Sequence, residues 1–182
     1  SLLSNLTSFP PSFSLNFTST RFPPTFVNWT RNGIGIEIGS TYQEIQNLRD
    51  AIRTTFDNIL IINGSFLPGN YTCSISNTQG YTEASFVVRA PDSPPSNLTA
   101  SFLGAGDVRV SWTPPTGDID GYQLYYQESG GSDAGLINIT GTNESAVLRS
   151  LVGGASYNIY VIAYAHIPSE SSETLTITLN GN

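Results

Sequence analysis

A strict alternation of apolar and polar residues, in short runs cut off by turn residues, limits this chain to β-structure. Phe13, Leu15 and Phe17 alternate with Ser14, Asn16 and Thr18. Tyr71, Cys73 and Ile75 alternate with Thr72, Ser74 and Ser76, and Ala84, Phe86 and Val88 follow. A period of two sends successive side chains to opposite faces of a sheet, which a 3.6-residue helix cannot do. YQEIQNLRDAIRTTF (42–56) comes nearest to a helical period and still reads as strand, turn and strand.

The first set of runs stops at RAPDSPPSNLT. Three prolines within 91–95 cannot sit in a central strand, so the segment reads as a short, Pro-rich linker. Its stiffness favours an extended two-domain rod over a freely flexible pair. The alternation then resumes. VRVSW (108–112) puts Val108, Val110 and Trp112 on one face, and in GYQLYYQ (121–127) Tyr122, Leu124 and Tyr126 alternate with Gln123 and Tyr125. LINI (136–139), SAVLRSL (145–151), YNIYVIAYA (157–165) and ETLTITL (173–179) complete the set. Short strands at this spacing predict an all-β chain of two tandem β-sandwiches, 1–90 and 91–182. Domains of this size can each bury a core.

Charge excludes several function classes. The net charge is −7, with seven arginines and no lysine. A nucleic-acid surface needs clustered positive charge, and an anionic membrane would repel this chain. No apolar stretch is long enough to span a bilayer. The sequence opens SLLSNLTSF, with neither an initiator methionine nor a secretion signal, and is read as a piece of a longer protein.

Asn-x-Ser/Thr occurs eight times, at Asn5, Asn16, Asn28, Asn63, Asn70, Asn97, Asn138 and Asn143. Chance gives roughly three or four in a chain of this composition. A chain rich in Ser, Thr and Asn generates some of them anyway. The excess favours a secreted or cell-surface glycoprotein carrying N-linked glycans.

The first half resembles an immunoglobulin-like domain. Trp29 in FVNWT matches the tryptophan of strand C, and GNYTC matches strand F. ILIIN (59–63) and ASFVV (84–88) match strands E and G. The resemblance implies that Tyr71 is a tyrosine corner, whose hydroxyl bonds to nearby backbone. It also implies an inter-sheet disulfide at Cys73, yet Cys73 is the chain's one cysteine. Phe17 stands twelve residues before Trp29, where the partner cysteine would be, and its ring is expected to fill that space. Burying it contributes about 1.5–3 kcal/mol, against about 2–4 kcal/mol for a disulfide. Cys73 is then either a buried thiol beside Trp29 and Phe17 or an exposed thiol that pairs with another chain. A second departure is Leu67, which stands where the family carries an acidic residue.

The second half resembles a fibronectin type III domain. SPPSNLTAS matches its opening segment, and VRVSWTPP carries the strand B tryptophan, Trp112. DGYQLYYQ matches strand C. LVGGASYNIYVIAYA supplies Leu151 and the corner tyrosine Tyr157, followed by inward Ile159, Val161 and Ala163.

Nothing in the sequence points to catalysis or to a cofactor. The one histidine, His166, and the one cysteine cannot make a zinc site. Asp118–Asp120 and Glu170–Glu173 lie in turns, where solvated charge is the default over a weak calcium site. GIGIEIG reads as a strand and turn with no helix behind it to hold phosphate.

Alternation also sorts the outward residues. Asn28 and Asn70 point outward on one sheet of the first domain, and Asn16 points outward on the other. Glycans there would leave edges and loops such as Thr41–Arg53 open. In the second domain Tyr160, Ile162 and Tyr164 point outward from strand F, and Tyr125 does so from strand C, with no sequon on either strand. Exposed tyrosines at this density suit a protein interface, although such residues also suit strand propensity.

Tandem modules of these two kinds imply the extracellular region of an animal cell-surface protein, anchored outside this segment. The expected role is adhesion or cell–cell recognition by binding another cell-surface or secreted protein, a second copy of itself included. The alternative is the ectodomain of a signalling receptor, of tyrosine kinase or phosphatase type, for a soluble partner. A bacterial spacer module is a third reading, and the sequon excess weighs against it.

Overall fold

The computed structural model describes residues 12–20, 26–39, 42–48, 55–63, 67–78 and 80–181. The chain divides into two compact units, Ser1–Val88 and Arg89–Asn182.

In the first unit the described strands are β1 (Ser12–Thr20), β2 (Phe26–Arg31), β3 (Ile34–Gly35), β4 (Tyr42–Leu48), β5 (Thr55–Asn63), β6 (Gly69–Asn77) and β7 (Gly80–Val88). They form two antiparallel sheets, in the orders β1-β5-β4 and β3-β2-β6-β7. Trp29 and Cys73 are register partners on β2 and β6, and both are buried, as are Tyr71, Val88 and Leu60 of β5. The segment 42–56 contains β4 and the start of β5. GIGIEIG is different: Ile34 and Gly35 pair with β2 and Ile36 N–H donates to the Trp29 carbonyl at 2.9 Å, while residues 37–39 lie outside the strands. Asn32 and Gly33 make the intervening turn in left-handed conformations, at φ 53° and 78°.

The second unit comprises β8 (Ser96–Gly104), β9 (Asp107–Thr113), β10 (Gly121–Glu128), β11 (Ala134–Thr140), β12 (Ser145–Leu148), β13 (Ser156–Tyr164) and β14 (Leu175–Thr178). Its sheets run β12-β9-β8 and β11-β10-β13-β14. The core lies between them: Val108, Val110 and Trp112 of β9 and Leu148 of β12 meet Tyr122, Leu124, Tyr157, Ile159, Val161 and Ala163 of β10 and β13. The Trp112 and Tyr122 rings lie 5.2 Å apart. At the β8–β9 turn Gly106 has φ 80°, and a Cβ there would come within 2.6 Å of the Leu151 carbonyl oxygen. Only glycine meets both conditions.

Residues 89–95, expected as a linker, are bonded into the second unit. Pro91 bridges to Gly117. Asp92 N–H donates to the Thr116 carbonyl, and Asp118 N–H to that of Ala90. Pro95 is buried. Proline keeps this segment out of the sheet but not off the domain, because its remaining backbone groups find partners in the 116–118 turn.

Candidate functional site

Each tyrosine at a sandwich corner is held by its hydroxyl. Tyr71 O–H donates to the Leu67 carbonyl at 2.9 Å, so the backbone of Leu67 serves here whatever its side chain. Tyr157 is bound twice: its oxygen accepts from Val152 N–H at 3.0 Å and its hydroxyl donates to Asp133 Oδ2 at 2.7 Å. Burial, then the bond to Asp133, pushes the Tyr157 phenol above its ordinary value, and burial does the same for Tyr122.

The four outward residues of the second unit come together on one sheet face. Cross-strand register arranges nine positions in three rows. Leu136, Tyr125 and Tyr160 form the first, Asn138, Gln123 and Ile162 the second, and Thr140, Gly121 and Tyr164 the third. Tyr125 and Tyr160 stack, with centroids 4.9 Å apart and planes 11° from parallel. Tyr125 O–H donates to Gln123 Oε1, and Gln123 Nε2 donates to Asn138 Oδ1, both at 3.1 Å. A Cβ at Gly121 would collide with the Ile139 carbonyl oxygen and with the Tyr164 ring, so that ring lies over bare backbone.

Two features of this face escaped the sequence reading. Gln123, an outward residue by alternation, is 7% exposed, because the aromatic rings and Asn138 enclose it. Asn138 brings a sequon onto the face from the neighbouring strand β11. The alternation of Leu136, Asn138 and Thr140 with Ile137 and buried Ile139 carried that signal. Tyr125, Tyr160, Ile162 and Tyr164 are half-buried rather than prominent, while Leu136 is 45% exposed. None of the nine positions carries a charge.

Elsewhere on the second unit, Asn97 and Asn143 are exposed. In the first unit Asn70 is exposed and Asn28 half-buried, on the outer side of β6 and β2. Asn5 lies outside the described residues. For Phe17, Asn16 and Asn63 the description covers the backbone alone: Phe17 faces Asn58 in the β1–β5 register, and its side chain lies outside the described residues. Of Thr41–Arg53, the ends lie outside them as well.

Arg89 N–H donates to His166 Nδ1 at 3.0 Å, and the Arg89 guanidinium grips both oxygens of Asp120 at 2.8 and 2.7 Å. Asp120 is therefore an ion-pair partner rather than plain solvated charge. Among the described residues no group of three or more His, Cys, Asp or Glu side chains is placed to hold a metal.

The second unit, a sandwich of two antiparallel sheets built from β8 to β14, has the architecture of a structural or binding module. Residues 93–178 match the family model of the fibronectin type III domain, and the second unit is a domain of that family. Mouse collagen alpha-1(XX) chain is 39% identical over 75 residues, which cover 41% of this chain and 6% of that one. Zebrafish contactin-1a is 29% identical over 169 residues, covering 84% of this chain and 16% of that protein. The chain thus spans a small part of the relatives it matches. Domains A168–A170 of titin superpose with a TM-score of 0.55 at 19% identity, covering 93% of this chain and 59% of theirs, a likeness of fold alone.

Proposed function

We propose that this chain belongs to the extracellular region of a cell-surface glycoprotein and mediates adhesion by protein–protein binding, with a second copy of itself as partner. The observation that carries this reading is the uncharged tyrosine face of β11-β10-β13. The chain bears a net charge of −7, yet this patch carries none, so two copies can bring it together without like-charge repulsion across the contact. The Tyr125–Tyr160 stack and the Gln123 hydrogen bonds hold the rings before any partner arrives. Such preorganisation lowers the ordering cost of association, and tyrosine is enriched at the energetic centres of interfaces.

The first unit, in this reading, is an immunoglobulin-like domain. Its strand orders, β1-β5-β4 and β3-β2-β6-β7, separate the strands as that family's two sheets do. The Trp29–Cys73 pairing and the Tyr71 hydroxyl bond support it further.

Sedimentation velocity of the fragment produced without glycans, over a broad concentration range, tests the function, beside the double variant Tyr160→Arg/Tyr164→Arg. Concentration-dependent dimers in the parent that vanish in the variant are expected. A strict monomer throughout would overturn self-pairing and shift the role to a separate ligand, as in a receptor ectodomain.

A further inference from the structure

We propose that N-glycosylation of Asn138 caps the tyrosine face, so that sugar at this one sequon decides whether the face is open to a partner. The cap presupposes the glycoprotein reading above.

Asn138 occupies the middle row of the face, opposite Gln123 and, one strand further, Ile162. Its sequon threonine, Thr140, lies on the same face two residues on, and both are exposed. The side chain is already oriented: Oδ1 accepts from Gln123 Nε2. That bond does not use Nδ2, the atom to which the sugar is joined. A glycan rooted here starts between the Leu136–Tyr125–Tyr160 row and the Thr140–Gly121–Tyr164 row.

Two strand spacings, about 10 Å, separate β11 from β13, a span that the first two pyranose rings of the glycan cover. The C–H face of a pyranose packs on a tyrosine ring for the reason aliphatic groups do: apolar area leaves water. Leu136 and the half-exposed rings of Tyr125, Tyr160 and Tyr164 offer that area. The neutrality of the nine positions also suits an uncharged sugar.

The sequon at Asn143 is the natural contrast. It is exposed but lies in the turn between β11 and β12, off the three rows.

Hydroxyl-radical footprinting of protein secreted from animal cells, read by peptide mass spectrometry, tests the cap. Thr140→Ala removes the sugar while keeping the Asn138–Gln123 bond, and Asn143→Gln removes a sugar off the face. Oxidation of Tyr160 and Tyr164 is expected to rise several-fold in Thr140→Ala and to stay at the parent rate in Asn143→Gln. Tyr81 of the first unit, 65% exposed, serves as the internal reference in all three. Sugar at Asn138 with equal oxidation in parent and Thr140→Ala would overturn the cap, as would a bare Asn138 while other sequons are filled. Sugar at no sequon would overturn the cap and the glycoprotein reading together. A protected face on a chain that stays monomeric in both forms would sink self-pairing and leave the cap standing.

Discussion

The two four-stranded sheets, β3-β2-β6-β7 and β11-β10-β13-β14, have the same strand order and opposite outer faces. On the first, register sets Thr30, Thr72 and Ser85 in one row and Asn28, Ser74 and Glu83 in the next. Thr72 and Ser85 hydroxyls lie 2.7 Å apart, and two sequons sit there, at Asn28 and Asn70. On the second, the outer face holds Leu136, Tyr125, Tyr160 and Ile162. Inward residues are alike in kind on both sheets and build the same architecture. The outward alternation, free of the demands of the core, is where the two units diverge, and function is argued from there.

The comparison breaks most visibly at the tryptophans. Trp29 and Trp112 are the chain's two, one in each core, so each unit has its own fluorescent reporter. Trp112→Ala removes the large ring at the centre of the second core and is expected to cost about 3–5 kcal/mol. Urea unfolding followed by Trp29 emission should keep its midpoint, while the transition seen by circular dichroism for the second unit moves to lower urea or disappears. A shift of the Trp29 transition by the same amount would mean that the two cores do not unfold independently.

The corner tyrosines sharpen the contrast on a smaller scale. Tyr71→Phe deletes the neutral bond to the Leu67 carbonyl, a change expected to cost about 1 kcal/mol. Tyr157→Phe deletes two, one of them to a carboxylate, and leaves Asp133 and Val152 N–H to find other partners, for about 2–3 kcal/mol. Equal losses would show that the Asp133 bond adds nothing. The pair also differs in pH response. Burial and Asp133 raise the Tyr157 phenol above 10.0, and burial raises Tyr122, so the folded second unit holds these protons more tightly than the unfolded chain. Its stability from this source is full below about pH 10 and falls as pH rises through the folded values. Tyr157→Phe should flatten that alkaline loss and leave the part due to Tyr122.

Alternation located the strands well because an inward residue has one face to choose and water decides it. Val108, Val110 and Trp112, or Tyr157, Ile159, Val161 and Ala163, are legible one strand at a time and all lie in the core. Neighbourhood across strands is not legible in that way. The sequence placed Tyr125, Tyr160, Ile162 and Tyr164 outward, yet it could not give the register that stacks two of them, encloses Gln123 and adds Asn138 to the same face. Nor could it see that residues 89–95, rich in proline, close onto the 116–118 turn. Proline declares that a segment is not a central strand and is silent on what that segment bonds to instead.

That closure supplies the mildest test of the difference between the units. Arg89, the first residue of the second unit, is joined to Asp120 by two parallel hydrogen bonds and to His166 through its backbone N–H. Both charged side chains keep a third or more of their surface in water, so solvent screens the attraction and the pair is worth about 0.2–1 kcal/mol. Asp120→Asn keeps the shape and both backbone bonds of residue 120, its N–H to the Tyr164 carbonyl and its carbonyl to Gly141 N–H, and removes the charge together with one of the two oxygens that accept from the Arg89 guanidinium. The midpoint of the second unit, followed by Trp112 emission, should fall by that small amount at low salt and merge with the parent's near 1 M salt, where the Debye length is about 3 Å. A loss that persists in high salt would assign the energy to the hydrogen bonds rather than to the ion pair. The Trp29 transition should not move at either salt concentration, since Arg89, Asp120 and His166 all belong to the second unit.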